Sequence, residues 1–154
     1  MFFKKLFLFA YLFLIGLFVS AQSEADIWEL VKSDLKTEYK TIIIESMLFN
    51  DQEATVFWPI FNAFFDKKSK LLDEDMVLLK DYSEHIDKLT DAKIDELVSR
   101  AMAIDSERLK NRKDYYKKVS KVLPKRKAGK LYQIDNQVSI LLDFQMISQV
   151  PLIE

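Results

Sequence analysis

The sequence contains no cysteine, only two glycines and only three prolines among its 154 residues. The absence of cysteine excludes disulfides, thiolate metal sites, cysteine nucleophiles and a lipid-modified cysteine. The scarcity of glycine and proline, together with 31% charged residues, indicates long helices joined by few loops. No strand-like alternation of apolar and polar residues is present. The sequence therefore predicts an all-α fold.

The first residues have the pattern of an export signal. Lys4 and Lys5 precede an uninterrupted apolar run over residues 6–19, and small or apolar residues follow at the positions that a signal peptidase checks. As a helix this run would span roughly 21 Å, short of the roughly 30 Å hydrocarbon core. A retained membrane anchor is therefore the less favoured interpretation. We predict a signal peptide that is cleaved after Ala21 and a periplasmic location.

Residues 1–21 would then be removed, and residues 22–154 are enough for a single helical domain with a modest core. Without the two signal lysines, 21 basic residues oppose 24 acidic ones, a formal charge of −3 that argues against a nucleic-acid partner. The charge is unevenly distributed. The segment Asp66–Glu107 carries 12 acidic and 7 basic residues, whereas Arg108–Lys130 carries 11 basic residues and only one acidic residue, Asp114.

Hydrophobic periodicity and capping residues divide the chain into four helices, which we expect to form a long, antiparallel, hairpin-like arrangement. Asn50 is suited to cap the second helix, and Glu53, three residues later, can complete a capping box. The predicted helices run from about Ala25 to Leu48, from Asn50 to about Lys88, from Thr90 to Leu123 and from Pro124 to about Gln149.

Pro59 lies inside the second predicted helix, near its ninth position, where a proline costs roughly 3 kcal/mol and bends the axis. The apolar arc around it is about 160° wide, compared with roughly 100° for an ordinary surface helix. Either the helix is buried on most sides, or its bend curves a thin helical layer and leaves aromatic surface for a partner. The aromatic residues concerned are Phe57, Trp58, Phe61, Phe64 and Phe65.

The last predicted helix has two apolar faces. One begins with Leu131 and Ile134, and the other, nearly opposite, consists of Ile140, Phe144 and Ile147 at helical spacing. Two apolar faces on one helix of a small protein usually mean that a second chain or a ligand covers one of them. We therefore expect a homodimer with Ile140, Phe144 and Ile147 at its interface.

Enzymatic chemistry finds little support in the sequence. His85 is the only histidine, and Asp81, one helical turn earlier, could pair with it, but two groups rarely suffice for zinc. Ser33 and Lys36 form an S-x-x-K pattern without its companion motifs, and no glycine-rich phosphate loop is present. We predict no enzymatic activity, no cofactor and no metal site.

The basic segment Arg108–Lys130 is the most informative polar feature, and Tyr115 and Tyr116 interrupt it. Two interpretations stay open. It is either an ordinary solvated face, or a positive surface that attracts unfolded acidic chains, anionic lipids or envelope polymers at rates that fall with salt.

Three stretches resemble the Spy/CpxP-like, LTXXQ-motif group of exported helical proteins, and the resemblance covers most of residues 34–153 in order and spacing. They are NDQEATVFWPIF (50–61), LTDAKIDELV (89–98) and YYKKVSKVLPKRKAGKLYQIDNQ (115–137). Both Leu-Thr-x-x-Gln motifs are altered here, to FNDQE (49–53) and LTDAK (89–93). Asn50 and Thr90 nevertheless keep the capping chemistry.

The resemblance implies a long-helix, cradle-shaped homodimer in the periplasm. Some members of the group are ATP-independent chaperones with a concave, basic and partly apolar face, others modulate envelope-stress sensors, and relatives bind metal ions. The leading expectation is a chaperone that binds unfolded or stress-exposed polypeptides. The residues expected to bind clients are Lys117, Lys121, Arg126 and Lys130 for attraction, and Phe57, Trp58, Phe61 and Phe65 for apolar contact. The alternative is a signalling partner of a membrane sensor or an extracytoplasmic sigma-factor system, and a purely structural helical module is a third possibility.

Overall fold

The structure is a computed structural model that describes residues 21–148 and 150–153. Its four helices are α1 (Ala21–Met47), α2 (Asp51–His85), α3 (Asp91–Val122) and α4 (Lys125–Ile147), and a single 3₁₀ turn, Ile86–Lys88, follows α2. No strand occurs in the described part of the chain, and the all-α prediction with four helices is confirmed. The predicted signal peptide, apart from Ala21, lies outside the described residues.

Local sequence signals set the helix ends. The Asn50 side chain accepts a hydrogen bond from the Glu53 N–H at 2.9 Å, and the Glu53 carboxylate accepts one from the Asn50 N–H at 3.1 Å, so the predicted capping box is confirmed. Thr90 caps α3 by accepting from the Lys93 N–H at 3.2 Å. Leu123 is extended, as expected of a residue before proline.

Three helix boundaries differ from the sequence prediction. Helix α1 begins at Ala21 rather than near residue 25, and α2 ends at His85 because its expected last turn tightens into the 3₁₀ helix. Pro124 occupies the N-cap position of α4, one residue before the first helical turn in which we expected it. These shifts leave the order and number of the helices unchanged.

Helices α2 and α3 pack against each other in antiparallel order. Near the start of α2, the Phe64 ring stacks on Tyr115, late in α3, with 4.2 Å between ring centroids. Near the end of α2, Asp81 pairs with Lys93 at 2.9 Å, in the first turn of α3. The other two helices run alongside this pair: α1 contacts α4, and α4 also contacts α3.

The hydrophobic core lies where all four helices meet, a region we name the closed end, because the α1–α2 turn and the α3–α4 turn are both there. Phe57 and Phe61 have no exposed surface, and Phe65 is almost fully buried. The Tyr39 ring of α1 meets Phe61 edge-on at 5.2 Å. The buried core consists of Tyr39, Ile43, Met47, Phe57, Phe61, Phe64, Phe65, Tyr115, Val119, Leu123, Ala128, Leu131, Ile134 and Val138.

This core corrects one expectation from the sequence. Phe57, Phe61 and Phe65 were expected to offer apolar contact to clients, but buried side chains cannot do so while the fold is intact. The wide apolar arc of α2 is explained by packing against several neighbouring helices. Trp58 is half-buried, and Pro59 itself is exposed within a helix that continues for 26 residues beyond it, to His85.

The opposite end of the α2–α3 pair, residues 76–103, has a different construction, and we name it the hairpin end. Asp81 is the centre of its polar contacts and pairs with Lys93 and Arg100 from α3. In this segment only Leu97 is buried among its large apolar residues, whereas Val77 and Met102 are largely exposed. Among the described residues, no helix combines the length and apolarity that crossing a bilayer requires.

Candidate binding surface

The closed end is locked by contacts between its two turns. Lys127, in the first turn of α4, pairs with Glu53 of the capping box and lies above the Phe49 ring at 5.5 Å from the centroid. Lys130 donates to the backbone carbonyl of Ser46, in the last turn of α1. The ion pair with Lys127 holds the pKa of Glu53 below its usual range. These contacts fix the start of α4 against the α1–α2 turn.

Four of the eleven basic residues in the segment 108–130 are used within the fold. Each forms an ion pair with a carboxylate on another helix or on the same helix. The pairs are Arg108 with Asp75, Lys110 with Glu107, Arg112 with Asp135, and Lys127 with Glu53. These four residues are therefore paired with carboxylates of the same chain, Lys110 in an exposed pair at the surface, and do not contribute to a free positive surface.

Six further basic residues form what we name the basic surface. All six are exposed, and in residues 21–148 and 150–153 no carboxylate lies at ion-pair distance from any of them. They are Lys113, Lys117, Lys118, Lys121, Lys125 and Arg126. Lys113, Lys117 and Lys121 are spaced by four residues and so follow one face of α3. Asp114 is the single acidic residue among them.

The structure brings together three of the four cations that the sequence singled out. Lys117, Lys121 and Arg126 belong to the basic surface, whereas Lys130 is exposed but engaged with the Ser46 carbonyl. The aromatic residues near these cations are not those of α2. Tyr116 of α3, which directly precedes Lys117, meets Tyr132 of α4 edge-on at 6.1 Å, and both rings are partly exposed. They replace the buried phenylalanines as the apolar component of this surface.

Trp58, also expected to contact clients, lies apart from the basic surface. Its ring meets Phe57 at 5.0 Å and Phe61 at 5.7 Å, and Lys40 of α1 lies 5.9 Å from its centroid. The half-buried indole therefore caps the aromatic core on the side of α1.

A buried ionic cluster inside the closed end was missed by the sequence reasoning. Asp135 of α4, 1% exposed, contacts one side chain from each of the other three helices. Its Oδ1 accepts from the Tyr39 hydroxyl at 3.0 Å and from Lys68 Nζ at 3.3 Å. Arg112 Nε lies 2.8 Å from its Oδ2, an ion-pair distance at an angle outside hydrogen-bond geometry. One carboxylate thus links all four helices.

Burial governs the proton chemistry of this cluster. Burial lowers the pKa of Lys68, against the opposing effect of Asp135, and Lys68 also donates to Ser139 at 2.8 Å. Burial, followed by the charge of Asp135, raises the pKa of Tyr39 and of Tyr115 far above the ordinary value. Within the described residues, the buried Tyr115 hydroxyl has no hydrogen-bond partner. Asp135 and Lys68 are closed to solvent while Arg112 reaches the surface, and the cluster fixes the packing of the helices.

A signal for this cluster is present in the sequence. Asp135 directly follows Ile134 and lies four residues after Leu131 and three before Val138, on the apolar face of α4. A carboxylate on a core-facing position requires cationic or hydrogen-bonding partners, because an isolated buried charge is strongly unfavourable.

The remaining sequence predictions map to the surface. Ile140, Phe144 and Ile147, the expected interface residues, are 57%, 67% and 64% exposed on α4. His85 Nδ1 lies 3.1 Å from the Asp81 carboxylate, as the spacing allowed. Within the part of the chain that the structure describes, no three His, Cys, Asp or Glu side chains converge as metal ligands would.

Comparison with known protein families, with curated proteins and with solved structures finds no match to this chain. The similarity to the Spy/CpxP-like group therefore stays a prediction from the three sequence stretches, and the functional conclusion must come from the surface itself.

Proposed function

We propose that this chain is a periplasmic, ATP-independent chaperone-like protein that captures unfolded or stress-exposed polypeptides on the basic surface. The observation that carries the proposal is a set of six exposed cations at the closed end for which the described part of the chain supplies no carboxylate partner. A helical protein with a net negative formal charge gains nothing in stability from crowding like charges together, because exposed like charges repel. Such a surface is better explained by a negatively charged partner.

The proposed capture has two stages. The basic surface attracts acidic, unfolded segments over a distance set by the ionic strength, about 30 Å at 0.01 M and 8 Å at 0.15 M. Close contact then involves Tyr116, next to Lys117 in the chain, and Tyr132, whose partly exposed rings offer both apolar area and a polar edge. The buried aromatic core supports this surface without contacting the client.

The function is tested by aggregation suppression. The purified protein is added at near-stoichiometric ratio to a chemically unfolded acidic client, and light scattering is followed at ionic strengths of about 0.01 M and 0.15 M. We expect suppression at both, weaker at the higher value because salt screens the attraction. A basic client of similar size serves as control and should be suppressed less. Absence of suppression at every ratio would contradict the proposal and favour a dedicated signalling partner.

A further inference from the structure

The exposed side chains on one face of α3 are acidic at the start of the helix, apolar in the middle and basic towards its end. Asp91 and Asp95 stand at its start, Val98, Met102 and Leu109 in the middle, and Lys113 and Lys117 towards its end. Successive members are separated by three, four or seven residues, and this spacing keeps them on one side of a helix. All seven are exposed, Met102 to 67%. We name this set the graded face.

The charges on the graded face are available to a partner. Within the described residues, Asp91, Asp95, Lys113 and Lys117 take part in no ion pair. The one other charged residue near the middle, Asp105, is paired with Arg108 of the same helix at 2.7 Å. The face is therefore acidic at one end, apolar in the middle and basic at the other.

Helix α4 places further apolar side chains beside the graded face. Tyr116 meets Tyr132 across the two helices, and Arg112 lies within 3.5 Å of Asn136, so α3 and α4 run antiparallel in a fixed register. Seven residues further along each helix, this register brings Leu109 level with Ser139, one residue before the exposed Ile140. The next seven residues bring Met102 level with Met146, one residue before the exposed Ile147. The apolar middle of the graded face thus continues onto the exposed side of α4.

A pattern that runs from acidic through apolar to basic is complementary to itself after a half-turn. A two-fold axis level with residue 104 would set Asp91 and Asp95 of one copy opposite Lys117 and Lys113 of the other, and the reverse pairs form by symmetry. The apolar residues of both copies then meet at the centre. This self-complementarity is the property that an isologous interface between identical chains requires.

We propose that two copies of this chain pair in antiparallel fashion along their graded faces. The sequence predicts an interface on α4 alone. In the interface proposed here, α3 supplies the charge pairs and the apolar centre, and Ile140 and Ile147 of α4 flank that centre. An acidic client peptide would be complementary only to the basic end, whereas a second copy is complementary to the whole face. Charge complementarity therefore favours a second copy as the occupant.

Self-pairing would affect the proposed capture of clients, and this consequence alone depends on the proposed function. Lys113 and Lys117 belong to both the graded face and the basic surface, so a second copy and an acidic client would compete for them. Lys121, Lys125 and Arg126 lie beyond the charge pairs and would stay free for capture.

The test is a charge exchange between two variants. Variant one carries Asp91→Lys and Asp95→Lys, and variant two carries Lys113→Glu and Lys117→Glu. Each variant alone places like charges opposite each other, and we expect its dimer dissociation constant to rise on the order of tenfold or more. Mixed in equal amounts, the two variants restore all opposite-charge pairs and should form a heterodimer. Molar mass is measured by sedimentation equilibrium, with native mass spectrometry to distinguish heterodimer from homodimer.

Matched controls separate the interface from general effects of charge. Lys70→Glu with Lys80→Glu changes two exposed lysines of α2 and should leave the dissociation constant unchanged. Helical circular dichroism of every variant checks folding. A monomeric wild-type protein at all accessible concentrations would overturn the proposal. So would a wild-type dimer whose dissociation constant is unaffected by both exchanges, since its interface would lie elsewhere. Because these readouts involve no client, they are independent of the outcome of the aggregation assay.

Discussion

The closed end and the hairpin end of this molecule are held together by different interactions. At the closed end, four helices enclose a cluster of aromatic rings and a carboxylate that contacts all three neighbouring helices. At the hairpin end, α2 and α3 are joined largely by polar contacts around Asp81. Exposed ion pairs contribute little to stability, whereas buried aromatic side chains contribute several kcal/mol each. Global stability therefore resides in the closed end, and the hairpin end should open first.

The largest expected change in unfolding free energy comes from removing Asp135, the central carboxylate of the closed end, and Asp81 is its counterpart at the hairpin end. Asp135→Ala leaves Lys68 and Arg112 without their partner in the interior, and we expect a loss of about 3–5 kcal/mol of unfolding free energy. Asp81→Ala removes the corresponding centre at the hairpin end and should cost far less, because water can solvate Lys93 and Arg100. Urea unfolding followed by circular dichroism measures both.

A second pair of substitutions distinguishes lost charge pairing from lost packing at Asp135. The double substitution Asp135→Leu with Lys68→Met replaces the most buried ion pair by apolar groups and should recover the part of the loss that comes from Lys68, whereas Arg112 stays without its partner. If Asp135→Ala proves no more destabilising than Asp81→Ala, the two ends do not differ as described.

Truncating apolar side chains should show the same difference in stability between the closed end and the hairpin end. Phe61→Ala removes a fully buried ring that contacts Tyr39 and Phe57, and we expect a loss of about 3–5 kcal/mol. Val77→Ala, at a position 60% exposed in the hairpin end, should change stability by no more than about 0.5 kcal/mol. Equal losses in thermal or urea unfolding would show that the aromatic arc is not the core of the fold.

Alkaline pH should lower the stability of the closed end. Tyr39 and Tyr115 have raised pKa values in the folded state, so their contribution to stability is complete below the unfolded value of about 10 and is lost as the pH rises above it. Lys68 has a lowered pKa in the folded state, so its contribution to stability rises with pH and offsets part of the loss from the two tyrosines. The two tyrosines together lose about 2 kcal/mol between pH 10 and 11, and after the opposing effect of Lys68 we expect a net loss of about 1 kcal/mol.

The variant Tyr39→Phe isolates one of these contributions. Since phenylalanine cannot ionise while Lys68 still acts in the opposite direction, the fall of unfolding free energy with pH above 10 should be at most about half as steep as in the parent protein. Urea unfolding at a series of pH values gives the slope. An unchanged slope would mean that the buried hydroxyls do not control the alkaline response.

The smallest expected effect concerns the α1–α2 turn at the closed end. Leu48 has a positive φ of 46°, a conformation that is unfavourable for a leucine, and its side chain is 81% exposed. Leu48→Gly removes the backbone strain at little cost in packing, and we expect stability to rise by up to about 1 kcal/mol. Thermal unfolding measures the change, and Leu48→Ala, which keeps the strain, is the control.

Much of the fold could be predicted from the sequence because its signals are local. Asn50 and Glu53 cap a helix whatever surrounds them, and Pro124 ends α3 through its effect on Leu123 alone. The placement of Phe57 and Phe61 could not be predicted, because a wide apolar arc fits both a core and a partner surface. Only packing against α1 and α4 decides between them.

The candidate surface could be predicted only in part, because its local signals are visible in the sequence and its tertiary contacts are not. The basic segment is visible in the sequence, but which of its cations are free depends on distant carboxylates such as Asp75 and Asp135, brought near by tertiary packing. The graded face required the exposure of each residue along α3, which periodicity alone does not supply.

The most direct test of the central claim compares client capture by two triple variants. Lys121→Gln, Lys125→Gln and Arg126→Gln neutralise the part of the basic surface that lies outside the proposed self-pairing contacts. Lys40→Gln, Lys70→Gln and Lys80→Gln remove the same charge elsewhere. At low ionic strength, binding of a fluorescent, unfolded acidic polypeptide should weaken about tenfold in the first variant and stay near the wild-type value in the second. Equal binding by both variants would contradict the claim that this surface captures clients.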